Sequence, residues 1–133
     1  MPSCRFGFGI IGCGNISRIH AAAIQSIGSA RLVAVADNNK ERAEKFSAEY
    51  GCEHYRDYTE LINRPDIDVV TVCTPSSLHG DIAIAAANLG KHVIIEKPFD
   101  INLEKADEVI RVCKENNVKL SVVLQHRFDP DIS

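Results

Sequence analysis

No apolar run in this 133-residue sequence approaches the length of a membrane span. The opening, Met1-Pro-Ser-Cys-Arg5, holds no long apolar signal core, because the apolar run behind it reads as a first strand. No basic stripe occurs either. Lys and Arg number 15 against 18 Asp and Glu, and the net charge is −3. That balance argues against a nucleic-acid partner held through phosphate contacts. Cysteine is present but unorganised. Cys4, Cys13, Cys52, Cys73 and Cys113 form no Cys-x-x-Cys pair and no zinc-ligand spacing, and their number is odd. They read as small buried or half-buried thiols in a reducing compartment, which predicts a cytoplasmic protein. A nucleophile elbow, a metal constellation, an internal repeat and a low-complexity tract are all missing.

What is there fits one ordinary globular domain: 45% hydrophobic and 25% charged residues. The apolar run Phe6 to Ile11 enters a glycine turn, Gly12-Cys13-Gly14, and a helical period follows at once from Asn15 and Ile16. Gly12 permits the turn, and Gly14 lets a pyrophosphate approach the backbone. The helix behind it points unpaired N–H groups and a positive dipole end at the same place. Ser17 stands where this fingerprint usually carries Gly or Ala, a departure that a small side chain can accommodate. A second apolar run, Leu32 to Ala36, ends in Asp37, 25 residues after Gly12. A carboxylate about 20 residues past the turn is placed to bind an adenosine ribose. Capping of the next helix is the alternative role for Asp37, but strand, turn, helix, strand and acid in that order favour the ribose.

Periodicity predicts further elements in strict alternation. The first helix covers about 16–27, with Ile16, Ile19, Ala23, Ile24 and Ile27 inward and Gly28 as its cap. A strand at 31–36 precedes a helix at 40–50 that stops at Gly51. A short strand at 53–55 and a short helix at 59–63 follow. Asp68 to Thr74 reads as a central strand closed by Pro75, with Ser76 or Ser77 capping an alanine-rich helix that ends at Gly90. The strand His92 to Glu96 precedes a helix capped by Asn102, with Leu103, Ala106, Val109, Ile110 and Cys113 inward. Lys119 to Leu124 is the sixth strand. This alternation predicts an α/β fold: a doubly wound, all-parallel Rossmann sheet in the order 3-2-1-4-5-6.

Ligands of such sheets lie beyond the carboxyl ends of the strands. Those ends carry Gly12, Gly14, Asn15 and Ile16; Asp37 and Asn38; Thr74, Pro75, Ser76 and His79; Glu96 and Lys97; and Gln125, His126 and Arg127. Lys97, fixed between a strand and Pro98, is placed to hydrogen-bond a substrate hydroxyl and stabilise the alkoxide formed as hydride leaves. A solvated surface lysine would read the same way. His20 and His54 have no partner that spacing identifies.

Five pieces together resemble the N-terminal domain of the glucose–fructose oxidoreductase / inositol dehydrogenase (Gfo/Idh/MocA) family. They are Gly12-Cys-Gly-Asn-Ile-Ser17, Ala36-Asp37, Cys73-Thr-Pro-Ser-Ser-Leu-His79, Gly90-Lys-His-Val-Ile-Ile-Glu-Lys-Pro98 and Gln125-His-Arg-Phe-Asp-Pro130. The resemblance implies an NAD(P)-dependent oxidoreductase acting on a sugar, sugar-derivative or cyclitol hydroxyl. Lys97 would be catalytic, and Thr74, Pro75 and His79 would line the cofactor cleft. Glu96 and Arg127 would lie near the nicotinamide. Asp37 with Asn38 and Asn39 leans to NAD over NADP, while Lys40 and Arg42 keep NADP open. Family members carry a second, mostly β-sheet substrate domain. Residues 1–124 are therefore expected to be the NAD(P)-binding domain, with 125–133 starting the connection to a domain this chain lacks. Alone, the chain is expected to bind dinucleotide without turnover and to self-associate as a homo-oligomer through the face left bare. A non-catalytic dinucleotide-sensing module is the competing function, and a pure dimerisation domain a weaker third.

Overall fold

A computed structural model describes residues 6–12, 14–73, 76–96 and 103–123. Six strands and five helices alternate: β1 (Phe6–Ile11), α1 (Asn15–Gln25), β2 (Ala30–Ala36), α2 (Lys40–Tyr50), β3 (Glu53–Tyr55), α3 (Tyr58–Ile62), β4 (Val69–Val72), α4 (Ser76–Asn88), β5 (His92–Glu96), α5 (Leu103–Glu115) and β6 (Leu120–Val123). The strands are all parallel, in the order β3-β2-β1-β4-β5-β6. This is the expected Rossmann order. No described helix is long and apolar enough to cross a membrane.

The sheet is covered on both faces, which is why its strands are apolar nearly throughout. Ile10, Leu32 and Val35 pack with Ala21, Ile24 and Phe46 of α1 and α2. Ile11, Val70, Val72, Val93 and Ile95 pack with residues of α3, α4 and α5 on the other side. Between Phe8 and Gly9 the register of β1 on β2 jumps from Leu32 to Ala34. The extra residue, Val33, packs into the same core as Ala34, while Leu32 and Val35 join the other.

Helix ends follow local chemistry. The Asn39 side chain caps α2 by accepting from the Arg42 N–H, and Gly51 closes the helix in the left-handed region at φ 69°. Asp57 caps α3 by accepting from the Thr59 N–H, and that bond holds its carboxyl below the usual range. Gly90 takes φ 80° after α4. Gly28, expected as the cap of α1, is not: the helix closes at Ser26 in the right-handed region, so no left-handed residue is needed.

Two helix faces differ from expectation. Ser17, Ala21 and Ile24 form the buried side of α1, whereas Ile19 and Ile27 are exposed. A helix lying close on a sheet puts its smallest residues inward, so the bulky isoleucines turn out. In α5, Val109, Val112 and Cys113 are buried and Ile110 is exposed. Spacing of three and four from Val109 selects the first set. In α2, Ala43, Phe46 and Ser47 are buried, while Tyr50 is half-buried against the Phe46 ring at 4.8 Å. Asn102 lies outside the described residues.

Among the cysteines, Cys52 and Cys73 are half-buried and Cys113 is buried, all with free thiols. Burial and the Glu53 carboxylate push the Cys52 thiol up to about 11, and burial raises Cys113 as well. Neither is primed as a nucleophile at neutral pH.

Candidate cofactor site

Strand register assembles the carboxyl edge of the sheet. Ile11 pairs with Ala36 on one side and Val72 on the other, Val72 pairs with Ile95, and Glu96 pairs with Val123. One step further along lies a row across the sheet: Asp37, Gly12, Cys73, Glu96. Two backbone bonds continue the ladder into it, Gly12 N–H to the Ala36 carbonyl at 2.7 Å and Cys73 N–H to the Ile11 carbonyl at 2.8 Å. At about 4.8 Å per strand, Asp37 and Glu96 stand roughly 14 Å apart.

Gly12 has φ 99°, which a side chain would strain, so its glycine is required by the turn. Ser17 is fully buried and its hydroxyl donates to the Gly12 carbonyl, tying the turn to the first turn of α1. Sequence reading treated Ser17 only as a tolerated departure. Its buried hydroxyl in fact satisfies a carbonyl of the turn, and a polar residue at an inward helix position was the available signal.

Gly14 is the N-cap of α1, in extended geometry, and provides no side-chain cap. A Cβ built there meets nothing within 4 Å. The first turn of α1 carries no acidic residue, whereas α2 and α3 each have both a side-chain cap and a Glu. The open space and the uncapped helix start fit the pyrophosphate of a dinucleotide: its oxygens can reach the N–H groups, and a side chain would fill the approach.

Asp37 follows β2 directly, and its N–H bonds to the Tyr55 carbonyl. Its side chain is only 11% exposed. Oδ1 accepts from the Asn39 N–H at 2.8 Å, and Oδ2 lies 3.8 Å from Arg42 Nε. Asn39 is the side-chain cap of α2; the carboxylate of Asp37 instead fixes the loop that leads into it. Beyond it, Asn38 and Lys40 join Arg56 of the β3 end in lining an open groove.

The other candidates divide by location. Asn15 and Ile16 begin α1, Ser76 and His79 lie in the first turn of α4, and Glu96 ends β5; for these five only the backbone element is described. Thr74, Pro75, Lys97, Gln125 and Arg127 lie outside the described residues, as does His126. His54 lines the same open groove as Asn38 and Lys40, and its Nδ1 lies 3.0 Å from the Ser47 hydroxyl, which donates to the Glu44 carbonyl.

The Gfo/Idh/MocA sequence family, described as an oxidoreductase family with an NAD-binding Rossmann fold, matches residues 6–124. The chain belongs to this family. The Gfo/Idh/MocA assignment extends to individual relatives. Inositol 2-dehydrogenase of Rhizobium meliloti (strain 1021) is 39% identical over 123 residues, which are 92% of this chain and 37% of that protein. The WlbA dehydrogenase of Bordetella pertussis, solved with NADH and UDP-GlcNAcA, superposes with TM-score 0.85 at 34% identity, covering 90% of this chain and 37% of that one. A 3-ketoreductase of Actinomadura kijaniata, solved with TDP-benzene and NADP, gives TM-score 0.83 at 29% identity over 89% of this chain and 37% of that one. The chain thus spans little more than a third of the length of the relatives it matches.

Proposed function

We propose that this chain is the cofactor-binding part of an NAD(P)-dependent dehydrogenase that transfers hydride between nicotinamide and a hydroxyl of a sugar, sugar derivative or cyclitol. The observation that carries the reading is the row at the carboxyl edge of the sheet. Asp37 stands at one end, the Gly12–Gly14 turn and the uncapped start of α1 lie next to it, and Glu96 ends the strand two places away. The inositol and nucleotide-sugar dehydrogenases among its relatives support the substrate class. We assign residues 1–124 to the nucleotide-binding domain and 125–133 to the start of a connection to a substrate domain.

When bound, the nicotinamide accepts or returns a hydride. The chain's own residues bind and orient. Backbone N–H groups of the Gly12–Ile16 segment hold the diphosphate, with the α1 dipole adding to their attraction. Asp37 accepts from ribose hydroxyls, and Asn38 flanks the ribose. We assign Thr74, Pro75, Ser76, His79, Gln125 and Arg127 to cofactor binding as well, on the strength of the family resemblance. Lys97, directly after Glu96, donates to the substrate hydroxyl oxygen and stabilises the alkoxide as its proton departs.

Calorimetry of the 133-residue chain with NAD+ and NADH tests the binding half. Saturable binding without polyol turnover is expected, and no heat with either nucleotide would remove the reading. Where the chain is joined to a substrate domain, Lys97→Ala is expected to abolish turnover while NAD still binds. Unchanged turnover would leave the dinucleotide-sensing module as the better account.

A further inference from the structure

Resting on the reading of this chain as one part of a longer dehydrogenase, we propose that the face of β4, β5 and β6 on the α1 side of the sheet is the seat of the substrate domain. The cover of the sheet is uneven on that side. α1 packs on β1 and β2, and α2 on β2 and β3. Their core takes Ile10, Leu32 and Val35 from the strands and, among the described residues, none from β5 or β6. Side chains alternate along a strand, and Val70, Val72, Val93 and Ile95 belong to the opposite core, so Val69, Thr71, His92 and Ile94 face the α1 side. Ser121 joins them, since Leu120 packs against that opposite core. Strand register turns this into a gradient. Ile10, Thr71, Ile94 and Ser121 are neighbours in one row across four strands. Ile10 is 0% and Thr71 1% exposed, whereas Ile94 is half-buried and Ser121 exposed. In the opposite core, the paired Val70 and Val93 are both sealed.

A parallel sheet in an α/β protein is closed on both sides, so this face calls for a cover. Its composition says of what kind. Val69 and Ile94 make an apolar floor, but Thr71, His92 and Ser121 interrupt it. His92 Nδ1 accepts from the Lys119 N–H at 3.0 Å, which leaves Nε2 as a donor at the rim. Such a mixture suits a contact between domains of one polypeptide, which is more polar than the interface of an obligate dimer. The relatives carry the polypeptide for it: nearly two thirds of inositol 2-dehydrogenase and of the WlbA dehydrogenase lies outside the matched part. β6 is the edge strand beside this face. A domain joined after it is therefore held there at about millimolar effective concentration. Docking at this face also sets that domain beside β5, the strand that Glu96 ends.

The test is maleimide labelling of Ser121→Cys in the 133-residue chain and in the same chain joined to its substrate domain, read by peptide mass so that native cysteines are counted apart. The introduced thiol is expected to react freely in the chain alone and on the order of a hundredfold more slowly in the joined protein, at every protein concentration. Arg111→Cys, at an exposed position of α5, is the control and is expected to react alike in both forms. Equal rates for Ser121→Cys in the two forms, or slowing of both sites together, overturn the proposal. Slow reaction already in the chain alone overturns it too, as does protection of the joined protein that disappears on dilution; protection that grows with concentration assigns the face to a second copy of the chain. Calorimetry with NADH on the 133-residue chain keeps the parent reading apart. Where saturable binding persists, equal labelling removes only the docking proposal, and a chain that binds neither NAD+ nor NADH removes the reading on which it rests. Circular dichroism of each variant confirms that the fold is retained, and Lys119→Cys, exposed two residues earlier, serves as the second site should Ser121→Cys unfold.

Discussion

Gly7 is the residue whose necessity is least visible along the chain. A Cβ there would sit 1.9 Å from the Asp66 carbonyl oxygen and 3.1 Å from Val33 Cγ2. The obstructing atom is backbone, and it is pinned. Asp68 donates its N–H to the Gly7 carbonyl at 2.7 Å, and its side chain accepts the Gly7 N–H at 2.9 Å. Gly7→Ala is therefore expected to destabilise by about 3 kcal/mol through overpacking. In a domain of this size that lowers the melting temperature by roughly 10 °C. Gly28→Ala, where an added Cβ meets nothing within 4 Å, is the control and is expected to change little. Equal melting temperatures for the two variants would refute the clash. The contrast explains what could be read beforehand. Gly12 and Gly14 announce themselves because the turn they serve is local. Gly7 serves a contact with a segment some sixty residues away, and no local pattern encodes it.

That distant segment, from α3 to the start of β4, is held by polar ties more than by regular structure. Arg64 grips Asp66 with two bonds, at 2.9 and 2.7 Å, and donates a third to the Tyr55 hydroxyl. Lys91, buried at the far side, donates to the carbonyls of Arg64 and Ile67 at 2.7 and 2.6 Å. Burial lowers the Lys91 pKa even though Asp68 and Asp66 pull it up. The Arg64 hydrogen bonds hold the Asp66 carboxyl below its ordinary 3.8. A carboxyl depressed in the folded state binds its proton more readily when unfolded. Its stabilisation is thus complete above the unfolded value and disappears as pH falls through the lower folded one. Asp66→Asn is expected to be less stable than wild type at pH 7, and the difference is expected to shrink as urea melts are repeated from pH 5 down towards pH 2. A constant difference across that range would show that the ion pair contributes nothing. Sequence pattern reached the strand order, because strict alternation and right-handed crossovers leave few topologies. It did not reach this hook. No local pattern marks Lys91, and only the approach of the segment between α3 and β4 to the foot of β5 makes it a buried donor. The faces of α1 and α5 were misassigned for a related reason: choosing among neighbouring apolar positions depends on how closely the helix lies on the sheet.

A dinucleotide lying along the carboxyl edge would touch the ends of β2, β1, β4 and β5, and so would bridge elements from both hydrophobic cores. Binding should then register as stability of the entire domain. At a ligand concentration one hundred times the dissociation constant, the expected gain is about 2.7 kcal/mol. That corresponds to a rise of roughly 8–10 °C in melting temperature. Gly14→Ala separates this effect from damage to the fold. The residue has φ −89°, and its new methyl group meets no protein atom within 4 Å. Loss of a glycine N-cap is expected to cost under about 1 kcal/mol without ligand. With ligand, the methyl group occupies the approach of the diphosphate to α1, so most of the thermal shift with NADH is expected to vanish. Gly12→Ala is expected to fail differently, lowering the melting temperature with or without nucleotide because φ 99° is strained for alanine. Thermal melts of the three proteins with and without NADH decide the matter. If Gly14→Ala shows the full wild-type shift, the diphosphate does not sit against the start of α1, and the row from Asp37 to Glu96 must be assigned to another ligand.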